Sequence, residues 1–157
     1  MKVLIVEDEL SKKENIISLL VENFNNIELV TAMSVRSAKA ELKKNLQFDC
    51  IILDMSLPTF DIGKEEFGGR PQGFGGKEVI RQVIRDKKNI PILVVTAYEA
   101  FSNPNHNDEN NKDITLDELK LQLDAYSSSL KIEVIKYNTL MDDWKAKVIS
   151  FMEELSK

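Results

Sequence analysis

Five short apolar runs, each followed by a stretch with helical spacing, do most to limit what this chain can fold into. They are Lys2–Val6, Ile27–Ala32, Cys50–Leu53, Ile92–Val95 and Ile132–Ile135. Most are rich in Val and Ile and lack the polar alternation of a half-exposed strand. Continuous apolar runs of this length suit strands buried on both faces, as in a parallel sheet. The order βαβαβαβαβα predicts an open, doubly wound α/β sheet with right-handed crossovers. A chain of 157 residues suits one domain, 1–157.

The intervening helices follow from spacing and caps. Leu10, Ile17, Leu20, Val21 and Phe24 are predicted to share one face of the first. Val35, Ala38 and Leu42 line the second, and Val79, Ile80, Val83 and Ile84 the third. Thr115 and Glu118 form a capping-box pattern ahead of Leu116, Leu119 and Leu123. The last helix is predicted to carry Leu140, Trp144, Val148, Phe151 and Leu155, with Thr139 and Asp142 at its start. Trp144 and Phe151 read as core residues, the alternative being a homodimer or partner face. Cys50, the only cysteine, reads as a packed core thiol and excludes an internal disulfide.

In open α/β sheets, ligands bind outside the carboxyl ends of the strands. The first strand delivers Glu7 and Asp8 there, the third Asp54, the fourth Thr96 and the fifth Lys136. Three carboxylates brought together repel, and a cation is needed for all to ionise. Oxygen ligands of this kind suit Mg²⁺. A metal and an ammonium beside one carboxylate suit in-line phosphoryl transfer, with the carboxylate as nucleophile and an acyl phosphate as product.

At these residues the chain resembles the response-regulator receiver domains of the CheY-like superfamily. The resemblance is carried by Lys2–Glu9, Ile51–Pro58, Val94–Ala97 and Val134–Lys136, each at its own strand end and in the family's order. It implies a five-stranded (βα)5 flavodoxin-like sheet of order 2-1-3-4-5. It implies Asp54 as phosphoacceptor, with Glu7, Asp8, Asp54 and the backbone carbonyl of Ser56 holding Mg²⁺. Thr96 and Lys136 would bind phosphoryl oxygens, Thr96 moving inward, and Ala97 would leave them room. Ser56 and Tyr98 stand where the family tunes the lifetime of the acyl phosphate. The implied partners are a histidine kinase or phosphotransfer protein as donor and a downstream protein target.

The chain also departs from the family. Tyr137 replaces the proline that usually follows the lysine, so the Lys136–Tyr137 bond is expected to be trans. Glu133 stands where the family has an aromatic that rotates inward with the threonine, and a charge will not readily fill that space. Two stretches look inserted, at about residues 63–75 and 102–114. The first, with Gly76 beside it, holds all six glycines; the second is rich in Asn and Asp and contains His106, the only histidine. The glycine stretch has neither phosphate-loop spacing, and Asp108–Asp113 lacks calcium-loop spacing, so both read as loops.

Composition narrows the function. The net charge of −5 gives no support to nucleic-acid binding, and no apolar run approaches the roughly 18 residues of a membrane span. With one cysteine, a cytoplasmic setting is expected. The leading expectation is a stand-alone receiver that signals by protein contact. One alternative is a receiver-like adaptor not switched by phosphorylation. Another is a Mg²⁺-dependent phosphatase with an aspartyl nucleophile; those enzymes usually place an acid two residues after the nucleophile, where this chain has Ser56.

Overall fold

Residues whose side chains alternate between two apolar layers explain the architecture. The computed structural model describes residues 1–44, 47–61, 75–97, 100–101 and 114–157. Strands β1 (Lys2–Val6), β2 (Glu28–Ala32), β3 (Cys50–Leu53), β4 (Ile92–Thr96) and β7 (Ile132–Lys136) form one parallel sheet. Their order is β2-β1-β3-β4-β7, which among these five strands is the 2-1-3-4-5 order expected.

Successive residues of each strand point to opposite faces. Leu4, Val6, Ile51, Leu53, Ile92 and Val94 enter one apolar layer with helices α2 (Val35–Lys43), α3 (Gly75–Arg85) and α4 (Leu116–Asp124). Val3, Ile5, Cys50, Ile52, Leu93 and Val95 enter the other, with α1 (Leu10–Asn23) and α5 (Asp143–Leu155). Each fully buried Val, Leu or Ile contributes roughly 1.5–3 kcal/mol, so the two layers dominate stability. Trp144 and Phe151 lie inside the second layer, as core residues, and Cys50 Sγ packs 3.6 Å from Met152 Sδ.

Four local features differ from the sequence expectation. In α1 the buried residues are Lys12, Ile16, Leu19 and Leu20, whereas Leu10 and Val21 are exposed. The helix is turned so that a lysine occupies the inward stripe. Leu140 is exposed and precedes α5, which starts at Asp143. The side chain of Asn138 accepts from the Leu140 amide at 2.9 Å, which holds a turn where the helix was expected to begin. Asp142 sits at the N-cap position without a side-chain cap bond. Finally, β5 (Ala100–Phe101) and β6 (Ile114–Thr115) pair antiparallel at the ends of the second inserted stretch. Two residues are too few to leave a periodic signal. The capping box of Thr115 and Glu118 is formed as expected.

Most of both inserted stretches, with His106, lies outside the described residues. Gly75, read as the end of the first, is already helical. Among the described residues, no helix is long and apolar enough to cross a membrane.

Candidate functional site

The ladder bonds of the sheet carry its acids to one place. The Glu7 amide donates to Ala32 O at 3.0 Å and the Asp54 amide to Val6 O at 2.9 Å, continuing the β1 pairings past the strand ends. Glu7, Asp8 and Asp54 thereby form a group of carboxylates whose ligand oxygens lie within 4.8 Å of one another. Glu7 and Asp54 are buried, and Asp8 is half-buried. Thr96, at the end of β4, is fully buried, and its Oγ1 has no hydrogen-bond partner among the described residues.

The ammonium inside this cluster comes from α1. Lys12 is 1% exposed, and its Nζ lies 2.6 Å from Glu7 Oε2 and 3.2 Å from Asp54 Oδ1. It also donates to Val95 O at 2.7 Å. Neither carboxylate oxygen is in hydrogen-bond alignment with the ammonium, so these two contacts are Coulombic rather than directional. The Tyr137 ring centroid is 5.6 Å from Nζ, and the Tyr137 hydroxyl accepts from Asn15 Nδ2 of the same helix at 2.8 Å. Tyr137 in turn lies against Trp144, with ring centroids 4.8 Å apart.

Burial dominates the electrostatics of the acids. It raises the Glu7 carboxyl above its ordinary value; Lys12 opposes this, and the Asp54 charge adds to it. Asp54 is raised by burial, with Lys12 opposing, and Asp8 is also raised by burial. Burial acts against the Lys12 ammonium, but Asp54 and Glu7 outweigh it and leave Lys12 raised. One ammonium thus faces two buried carboxylates and a third at the rim. An oxygen-only donor set with surplus negative charge, and with carboxylate lone pairs lacking directed donors, fits a hard divalent cation. Glu7, Asp8 and Asp54 are the side chains that could hold it.

The loop after Asp54 is gripped by two helix starts. The Val35 and Arg36 amides of α2 donate to Pro58 O and Thr59 O at 3.0 and 2.9 Å. At α3, the Gly76 amide donates to Met55 O at 2.9 Å. A Cβ on Gly76 would lie 2.6 Å from Asp54 O, and one on Gly75 2.5 Å from Leu57 O. Only glycine permits so close an approach of helix to loop.

The remaining predicted residues fall around this centre. Ser56 is half-buried in the loop, and its amide favours the ionised Asp54. Ala97 is exposed beyond Thr96. Lys136 is exposed at the end of β7, an edge strand, and Glu133 is exposed on the same strand, 3.5 Å from Lys131. The Lys136–Tyr137 bond is trans, as expected. Tyr98 lies outside the described residues. Sequence reasoning missed Lys12, Asn15 and the placement of Tyr137. The available signal was spacing: Lys12 stands four residues before Ile16, on the stripe that continues to Leu19 and Leu20.

A five-stranded parallel sheet of this order is the fold of CheY-like receiver domains, and the chain is similar to known proteins of that kind. No family model matches the chain. It is 25% identical over 157 residues to the Detocs response regulatory protein DtcB of Enterobacter cloacae, covering 99% of this chain and all of the relative. Among solved structures, the receiver domain of Francisella response regulator 1452 superposes with a TM-score of 0.61 at 16% identity, covering 98% of this chain and 94% of that one. The response regulator TrrA of Thermotoga maritima, solved with Mg²⁺ and BeF, gives a TM-score of 0.56 at 24% identity, covering 98% and 97%.

Proposed function

We propose that this chain is a phosphoacceptor receiver, phosphorylated on Asp54 in a two-component or phosphorelay system and signalling by protein contact. The observation that carries the reading is the convergence of Glu7, Asp8, Asp54 and Thr96 with one buried ammonium at the carboxyl edge of the sheet. A histidine kinase or phosphotransfer protein would be the donor. An Asp54 carboxylate oxygen attacks the phosphorus of a phosphohistidine while the P–N bond breaks. The electron pair stays on the imidazole nitrogen, which is then protonated. Glu7, Asp8, Asp54 and the Ser56 carbonyl would hold Mg²⁺, whose charge neutralises phosphoryl oxygens when it is bound; TrrA was solved with that metal and a fluoride of beryllium. Thr96 Oγ1 is free to hydrogen-bond one of those oxygens, and the small Ala97 side chain leaves them room.

The downstream target would be a protein, bound without nucleic acid or membrane, in the cytoplasm. Glu133 and Tyr137 replace the aromatic and the proline of the family's usual switch, so output would take another route. The test is incubation of the full chain with a small-molecule phosphodonor and Mg²⁺, followed by intact mass. One added phosphoryl group, absent in Asp54→Asn, is expected. No addition, or an equal addition in the variant, overturns the reading.

One observation favours an adaptor that phosphorylation does not switch: Glu133 is exposed and Tyr137 is packed between Lys12 and Trp144, at the positions where the family's usual relay has its aromatic and proline. That alternative predicts partner binding unchanged by Asp54→Asn.

A further inference from the structure

We propose that Lys12, from the first helix, is the cation that receives the phosphoryl group on Asp54, the part the family resemblance assigns to Lys136. The inference rests on the receiver reading above. Three observations converge on it.

The first is position. Lys12 Nζ is 3.2 Å from Asp54 Oδ1 and buried with it, whereas Lys136 ends an edge strand and is exposed. An ammonium in a water-poor site acts on nearby charge far more strongly than one in solvent.

The second is support. Val95 O holds Nζ at 2.7 Å, and the Tyr137 ring lies alongside it, fixed by the Asn15 bond at 2.8 Å. The chain position that follows Lys136 is thus occupied by a side chain that braces Lys12. A group held in place this way needs little reorganisation when charge develops beside it.

The third is charge flow. Forming the acyl phosphate turns the Asp54 carboxylate into a neutral acyl group and places the phosphoryl group's charge, about −1.5 to −2, on oxygens two bonds beyond the carboxyl oxygen. Lys12 Nζ has three N–H donors; its directed bond goes to Val95 O, and the ammonium lies beside Glu7 and Asp54 as an ion-pair partner. The donors not used on Val95 can reach a phosphoryl oxygen on Asp54 while Val95 and Glu7 keep the ammonium anchored. Any such shift reaches Tyr137, and through it Trp144, the only tryptophan of the chain.

The test uses the full chain, saturating Mg²⁺ and beryllofluoride as phosphoryl mimic. Binding is read by ¹⁹F NMR and by Trp144 fluorescence. Wild type is expected to bind with a fluorescence change, and K136M to stay within about twofold of it. K12M is expected to lose at least tenfold in beryllofluoride affinity, with K12R in between. Because K12M leaves buried acids without their partner, circular dichroism accompanies each variant, and E7Q/K12M is compared with E7Q alone. K12M, or the double variant against its reference, binding beryllofluoride as well as its parent overturns the proposal. A K12M that is less stable but binds normally does the same, since that is a structural lysine. Failure of wild type to bind at all overturns the receiver reading instead.

Discussion

Lys12 Nζ lies 2.6 Å from Glu7 Oε2, and the two side chains are each 2% exposed. A charge buried this completely is tolerated only with its partner beside it. The pair therefore ties the first turn of α1 to the end of β1.

Removing Lys12 should destabilise the fold without added metal. Breaking a buried ion pair from one side costs about 3–5 kcal/mol, because the remaining carboxylates keep their desolvation without compensation. Urea unfolding of Lys12→Met should show that loss, and Mg²⁺ should recover part of it. The variant should also bind Mg²⁺ more tightly than wild type, since the competing cation is gone. Equal stability with and without Mg²⁺ would show that the acids hold no metal.

Thr96→Val separates stability from phosphoryl binding. The Thr96 hydroxyl is buried without a partner among the described residues, and such a group costs roughly 1–3 kcal/mol. A near-isosteric valine should leave the melting temperature unchanged or raise it, while phosphorylation of Asp54 slows. A large loss of stability would reveal a resting-state partner for Oγ1.

Gly76→Ala should damage the site through the backbone. Its Cβ would meet Asp54 O at 2.6 Å and Met55 Cα at 2.9 Å, so α3 or the Asp54 loop must shift. Overpacking of this kind costs about 1–3 kcal/mol. Thermal melting should fall, and phosphorylation should fall with it. An unchanged melting temperature would mean that the helix start adjusts freely.

Tyr137→Phe removes the acceptor for Asn15 Nδ2 and keeps the ring beside Lys12 and Trp144. A typical hydrogen bond contributes about 0.5–1.5 kcal/mol. A loss of that size in denaturant unfolding is expected, with a change in Trp144 emission. Unchanged emission would mean that the bond does not set the ring's position.

Cys50 gives a pH test far from the acid cluster. Burial, followed by the charge of Asp49, pushes its thiol from an ordinary 9.0 up to about 12. The native thiol should react slowly with a disulfide reagent at pH 8 and quickly after denaturation. The folded group is raised, so its stabilisation is complete below pH 9 and is lost as pH rises toward 12. Replacing Cys50 with alanine should flatten that part of the pH–stability profile while lowering stability overall.

Much of this was legible in order and spacing. The β1, β3 and β4 runs announced buried strands because each fills two apolar layers at once, whereas β2 and β7, expected to be buried as well, lie at the sheet edges and are only partly buried. Glu7, Asp8, Asp54 and Thr96 followed as the residues just past or at the ends of the buried three. Glu133 was expected to avoid the interior, and it does. The first helix was misread because its apolar stripe was traced through Leu10 and Val21, leaving out a lysine. The start of α5 was misplaced because Asn138 competes locally for the backbone. The β5–β6 pair was missed because two residues carry no period.

The division between the two kinds of information is physical. The amino-acid sequence by itself determined the parallel sheet, its helical crossovers and the acids at its edge, since these depend on hydrophobic period and chain order. Tertiary structure alone decided that an ammonium from the first helix is buried among these acids. Lys12 and Lys136 carry the same charge, and nothing local separates them. Only the packed fold turns Lys12 inward, where Glu7, Asp54 and Val95 compensate its burial, and leaves Lys136 exposed on an edge strand.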